Sequence, residues 1–242
     1  MKPAITITGV TKKYDKKTLA LSNINLSVHE GEFLVLVGPS GCGKSTLLRI
    51  MSGIDPDYTG TVTFHEGITR SDMGFVFQSF ALLPWLTIEE NIGIGLVARH
   101  IPVAERKKIV DRELKTFGLE KFAKHYPREL SGGMRQRVGI ARALATNPKI
   151  IFLDEPFSEL DSFTAEELRK ELLSIWAERK PTIVMVTHIV EEALELADRV
   201  IGLTPRPGKI EGIVPVPLSR PRQKRAEPFF VLTDQLYELI KP

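Results

Sequence analysis

Two kinds of hydrophobic pattern alternate along the chain. Ile5-Thr6-Ile7-Thr8 and Ile24-Asn25-Leu26-Ser27-Val28 switch between apolar and polar at every residue. That is the period of a strand with one buried face, and it predicts an antiparallel β part near the start. Residues 33–37, 150–153 and 182–186 are short, continuous apolar runs. Such runs fit strands buried on both faces, as in a parallel sheet. Apolar residues at helical spacing predict helices over 45–51, 101–117, 132–145, 165–177 and 190–197. Buried strands interleaved with helices predict an α/β fold with a mostly parallel sheet. The stretch from about 86 to 147 reads as almost wholly helical and interrupts the strand series, so it predicts an inserted helical lobe.

From about residue 205 the character changes. Pro205, Pro207, Pro215, Pro217, Pro221 and Pro228 follow in quick succession, with Arg220, Arg222, Lys224 and Arg225 among them. This reads as an extended connector with a basic cluster, ending in an amphipathic helix over 229–240. The expected behaviour is a solvated C-terminal extension packed on its own domain, with contact to a partner or regulator as the alternative. A length of 242 residues suits one large domain with an inserted lobe.

Composition narrows the classes. With 43% hydrophobic and 26% charged residues, a sizeable core is expected and disorder is not. A net charge of +3 is too small to argue for bulk nucleic-acid binding, and no nucleic acid is expected as a partner. One cysteine, Cys42, excludes a disulfide scaffold and a cysteine-based zinc site. No apolar run approaches the ~18 residues of a membrane span. The first seven residues read as a strand rather than a signal peptide. The expected protein is soluble and cytosolic, reaching a membrane only by docking to another subunit.

The strongest chemical signal is Gly38-Pro39-Ser40-Gly41-Cys42-Gly43-Lys44-Ser45-Thr46, which fits G-x-x-x-x-G-K-[ST]. A buried strand precedes it and a helical stretch follows, as a phosphate-binding loop requires. Glycines let the backbone wrap an anion, and successive N–H groups together with the helix dipole favour negative charge. Lys44 is expected to bridge the β- and γ-phosphates, Ser45 to hold Mg²⁺, and Thr46 to donate to the α-phosphate. Cys42, close to a helix N-terminus, is expected to have a lowered thiol pKa and to react with thiol reagents unless ATP protects it. The apolar run 150–153 ends in Asp154 and Glu155, 110 residues after Lys44. Asp154 at the strand tip suits a Mg²⁺ shell, and Glu155, turned to the other face, suits polarising an attacking water.

Leu130-Ser131-Gly132-Gly133-Met134-Arg135-Gln136-Arg137 resembles the signature motif of the ATPase subunits of ABC transporters, 23 residues before Asp154. Ser131, Gly132 and Gly133 at a helix start make a second anion site from free N–H groups. The resemblance extends from residue 5 to about 222. It implies a P-loop NTPase fold of ABC type: a RecA-like core with the antiparallel β part and the helical lobe. Gln78, after the run Phe75-Val76-Phe77, resembles the glutamine that joins the Mg²⁺ and water shell to the lobe. Asp161, in Ser158-Glu159-Leu160-Asp161, resembles the loop that crosses a dimer interface; Glu159 stands where a small residue is common. His188 resembles the histidine that touches the γ-phosphate, and Tyr14 the aromatic that stacks on adenine.

The resemblance further implies ATP and Mg²⁺ as cofactors, and a homodimer or close-paralogue dimer. Two ATP molecules would be held head to tail, each phosphate loop completed by the other copy's Ser131. With no span of its own the chain needs integral permease subunits, and an external solute-binding protein acts indirectly. The expected location is the cytoplasmic face of the inner membrane, peripherally bound. The apolar segment Ser79-Phe80-Ala81-Leu82-Leu83-Pro84-Trp85-Leu86-Thr87 is the expected receiver of a short permease helix. Residues 82–87, 203–210 and 218–222 resemble the nitrate, sulfonate and taurine group of importers, which also holds carriers of bicarbonate and vitamin precursors. A soluble ABC ATPase of DNA repair or translation is the alternative. The first would need a coiled coil of hundreds of residues between Lys44 and Ser131, and the second two cassettes in one chain.

Overall fold

The structure is a computed structural model and describes residues 2–15, 17–65 and 67–241. The chain divides into two compact units, Met1–Arg70 with Lys180–Pro242, and Ser71–Arg179.

The first unit opens with β1 (Pro3–Tyr14) and β2 (Thr18–His29), a long antiparallel pair with Ile7 opposite Leu26. The alternation in their sequence is the alternation of burial, since Ile5, Ile7, Ile24, Leu26 and Val28 are all buried. β3 (Phe33–Val37) follows and is buried at every residue. It runs into α1 (Lys44–Met51). β4 (Thr59–Phe64) then pairs antiparallel with β1 on the side away from β2.

The second unit contains β5 (Met73–Val76), α2 (Ile88–Ala98), α3 (Val103–Thr116), α4 (Gly132–Ala145), β6 (Ile150–Asp154) and α5 (Ser162–Arg179). β5 and β6 are parallel, with Phe75 beside Phe152. This unit therefore holds two strands as well as the predicted helices. Helix α2 starts on a full capping box: Thr87 accepts from the Glu90 N–H, and the Glu90 carboxylate accepts from the Thr87 N–H.

The chain returns to the first unit as β7 (Thr182–Val186), α6 (Val190–Leu196), β8 (Arg199–Leu203), β9 (Ile210–Pro215) and α7 (Glu227–Ile240). β7, β3, β8 and β9 lie in that order. β3 is parallel to both neighbours, with Val35 between Met185 and Val200, and β9 closes the edge antiparallel to β8. Part of the expected connector is thus a sheet strand. Within the basic cluster Lys224 and Arg225 are exposed, whereas Arg220 and Arg222 are half-buried against their own unit. Arg220 reaches Asp198 (2.8 Å) and the Leu196 carbonyl, and Arg222 reaches the carbonyls of Leu194, Leu218 and Val216. The guanidinium groups satisfy backbone acceptors that a proline-rich segment and a helix end leave without partners. No helix among the described residues is long and apolar enough to cross a membrane.

Candidate nucleotide site

In the first unit the phosphate loop leaves the tip of β3 and ends at α1. Gly43 precedes α1 with a positive φ of 103°, and no side chain caps the helix start. The N–H groups of the first turn point out of the helix with its dipole behind them, which suits a phosphate. Lys44 is buried and folded back over the loop. Its Nζ donates to the carbonyls of Gly38 (2.8 Å) and Pro39 (3.1 Å) and lies 4.0 Å from Cys42 Sγ. The ammonium so holds the loop in its curved form. Pro39, Ser40 and Gly41 form the outer edge of the loop.

Cys42 is fully buried. A Cβ built on Gly208, in the turn between β8 and β9, would come within 2.1 Å of the Cys42 carbonyl oxygen. The expected attack by thiol reagents is therefore corrected: a low thiol pKa does not help a sulfur that reagents cannot reach.

Tyr14 stands beside the loop with 40% of its surface exposed, and its hydroxyl is hydrogen-bonded to Thr46 Oγ1 at 3.2 Å. Lys12 Nζ lies 4.9 Å from the Tyr14 ring centroid, a cation–π arrangement. Burial works against the charge on Lys12. Hydrogen bonds to Asp55 (2.8 Å) and Asp57 and their attraction outweigh it, so its pKa is raised. His188 is exposed just after β7, one residue before the cap of α6.

In the second unit Ser131 caps α4, its Oγ accepting from the Met134 N–H at 3.3 Å. Asp161 caps α5: its carboxylate accepts from the N–H groups of Phe163 (3.1 Å) and Thr164 (3.0 Å) and from the Thr164 hydroxyl (2.7 Å). The Thr164 hydroxyl, followed by these N–H groups, holds the Asp161 carboxyl below the usual carboxylate range. A Cβ on Gly133 would lie 2.4 Å from Thr164 Cγ2, so the start of α4 packs closely on the first turn of α5. Ser131, Gly132, Gly133 and Asp161 thus form one cluster of helix starts, with Glu159 exposed at its edge.

Asp154 ends β6 and is buried. Glu155 leaves the strand in the left-handed region, at φ 44°, a conformation that costs a non-glycine residue energy and often marks a functional turn. Its carbonyl accepts from the Ser158 hydroxyl (3.0 Å), and Gln78 Nε2 reaches Ser158 Oγ at 3.4 Å. Gln78, Glu155 and Ser158 are therefore joined.

The segment 79–87 divides. Phe80 is buried, whereas Trp85 is 70% exposed. The fully buried Asn91 side chain ties this loop down, accepting from the Leu83 N–H (2.8 Å) and donating to the carbonyls of Leu83, Leu86 and Thr87. Arg142 donates to the carbonyls of Phe80 and Ala81 (2.9 and 2.7 Å). Neither Asn91 nor Arg142 was marked by sequence pattern, because a polar residue within a helix is ordinarily solvated. An asparagine among apolar residues eight after Leu83 is the one available hint.

A parallel α/β core with an uncapped helix start beneath G-x-x-x-x-G-K-[ST] defines a P-loop nucleotide-binding protein. The family model described as ABC transporter matches residues 21–158. The aliphatic sulfonates import ATP-binding protein SsuB of Bacillus licheniformis is 48% identical over 217 residues, which cover 88% of this chain and 84% of the relative. The nitrate import ATP-binding protein NrtD of Synechococcus elongatus is 44% identical over 215 residues, covering 86% and 78%. A solved dimeric ATP-binding cassette, in a post-hydrolysis state with ADP and Pi, superposes with a TM-score of 0.77 at 38% identity, covering 89% of this chain and all of that one. The chain belongs to the ABC transporter family, and within it to the ATP-hydrolysing subunits.

Proposed function

We propose that this chain powers an importer of small oxyanions of the sulfonate or nitrate type, from the cytoplasmic face of the membrane, docked on integral permease subunits. The names of its relatives support the solute class and the direction. The observation that carries the ATPase reading is the phosphate loop itself, an uncapped α1 under a curved loop with Lys44 bound to its carbonyls.

ATP enters this loop with its base against Tyr14. Lys44 exchanges the carbonyls of Gly38 and Pro39 for phosphate oxygens, and Thr46 and the loop N–H groups bind the remainder. Ser45, Gln78 and Asp154 offer the oxygen donors that Mg²⁺ takes, and the ion would supply charge stabilisation for the leaving phosphate. Glu155 orients and polarises the water, and His188 contacts the γ-phosphate. Ser131, Gly132 and Gly133, beside Asp161, serve the nucleotide held by a second copy. ATP then binds the closed dimer more tightly than separate chains, and that difference in affinity drives the permease.

Glu155→Gln is expected to lower turnover at least about 100-fold while trapping an ATP-bound dimer, because the orienting carboxylate is lost and the binding groups remain. Sedimentation with and without ATP checks this. A Glu155→Gln chain that stays monomeric with ATP overturns the paired-site reading, and Lys44→Ala that still binds ATP overturns the role of the loop.

A further inference from the structure

His188 is held by more than its place in the chain. Thr187, next to it, is buried, and its Oγ1 donates to Glu192 Oε2 at 2.8 Å. The same oxygen accepts from the Ile189 N–H at 3.1 Å. One hydroxyl therefore links the backbone after His188 to a carboxylate on the first turn of α6. Glu192 is only 7% exposed, so this contact is made out of water, where a hydroxyl–carboxylate bond is strong and its loss costly.

Helix α6 itself cannot drift. With seven residues and no side-chain cap it is too short to persist alone. Arg222 and Arg220 donate to the carbonyls of Leu194 and Leu196 at its end, where positive charge is favoured. Lys224 pairs with Glu195 at 2.8 Å, and the Tyr237 hydroxyl donates to Glu191 at 3.2 Å. The C-terminal segment so grips α6 at both ends, and the Thr187–Glu192 bond passes that fixed position to the turn carrying His188.

We propose that Thr187 and Glu192 are positioning residues for His188, setting where its imidazole meets the γ-phosphate. The inference rests on the reading that His188 touches that phosphate. Positioning and simple stabilisation differ in whether they act through the imidazole. A double-mutant cycle on the full chain with saturating MgATP separates them. His188→Ala is expected to reduce kcat at least about 100-fold with the KM for ATP within about twofold. Thr187→Ala and Glu192→Ala are each expected to reduce kcat about tenfold at unchanged KM, and Thr187→Ser to restore it. In the His188→Ala background, Thr187→Ala should cause no further loss.

Wild-type kcat in Thr187→Ala, or an equal loss with and without His188, overturns the inference. If Glu192→Ala does not fold, the Thr187 series decides alone, since alanine and serine both fit the buried site. Wild-type kcat in His188→Ala overturns the His188 reading and the inference with it. An inactive His188→Ala beside a fully active Thr187→Ala overturns the inference only.

Discussion

Asp161 shows how one side chain fixes a helix start and, by the same bonds, its own titration. Its hydrogen bonds are those of a helix cap, and they hold its pKa below the ordinary value. For a carboxylate with a depressed folded pKa, the stabilisation is fully present above the unfolded value of about 3.9 and is lost as pH falls through the folded value. Asp161→Asn keeps one acceptor for the backbone but loses the charge and the acceptor for the Thr164 hydroxyl. The wild type is therefore expected to melt at a higher temperature at pH 6, and the gap to close toward pH 3, as thermal scans across that range will record. The placement of Lys44 and Ser45 at a helix start, Asp154 at a strand end and Ser131 at a helix cap was legible in the sequence, because each follows from local spacing. The left-handed turn at Glu155 was not, since nothing in Asp-Glu-Pro-Phe announces a positive φ.

At the scale of elements, the helices lie close to their apolar periodicities, and β3 and β7 cover the predicted apolar runs. β8 and β9 carry no clear strand pattern in the sequence. Gly202 interrupts one, and prolines flank the other, so both resembled connector. Their turn has consequences for chemistry, because Gly208 sits against the Cys42 carbonyl with no room for a Cβ. Gly208→Ala must push the phosphate loop aside. It is expected to cost about 1–3 kcal/mol of stability and to weaken ATP binding about tenfold, measured by thermal unfolding and nucleotide titration. The basic cluster packs on its own unit as expected, but the contacts of its two half-buried arginines have no local signal. Arginines between prolines look solvated in one dimension, whereas here they reach carbonyls more than twenty residues away, in α6.

For the molecule as a whole, the relevant surface is the loop that Asn91 and Arg142 hold in place with Trp85 exposed. A large, fixed aromatic outside the phosphate loop suits a partner rather than the nucleotide. Trp85→Ala is expected to leave the ATPase of the isolated chain within about twofold and to abolish co-purification with membrane subunits. Retention of the membrane subunits by Trp85→Ala would remove this loop from the docking surface.

The order of motifs, the phosphate loop, the capped helix starts and the alternation of strands and helices were decided by the sequence alone. Each depends on residues within a few positions of one another, whose backbone geometry is set by turn chemistry and by periods of 2 and 3.6. Tertiary structure decided the rest: Gly208 under Cys42, Gly133 against Thr164, and Arg222 at the end of α6. Those meetings arise from how buried faces stack, and a hydrophobic pattern specifies that a face is buried without naming what covers it.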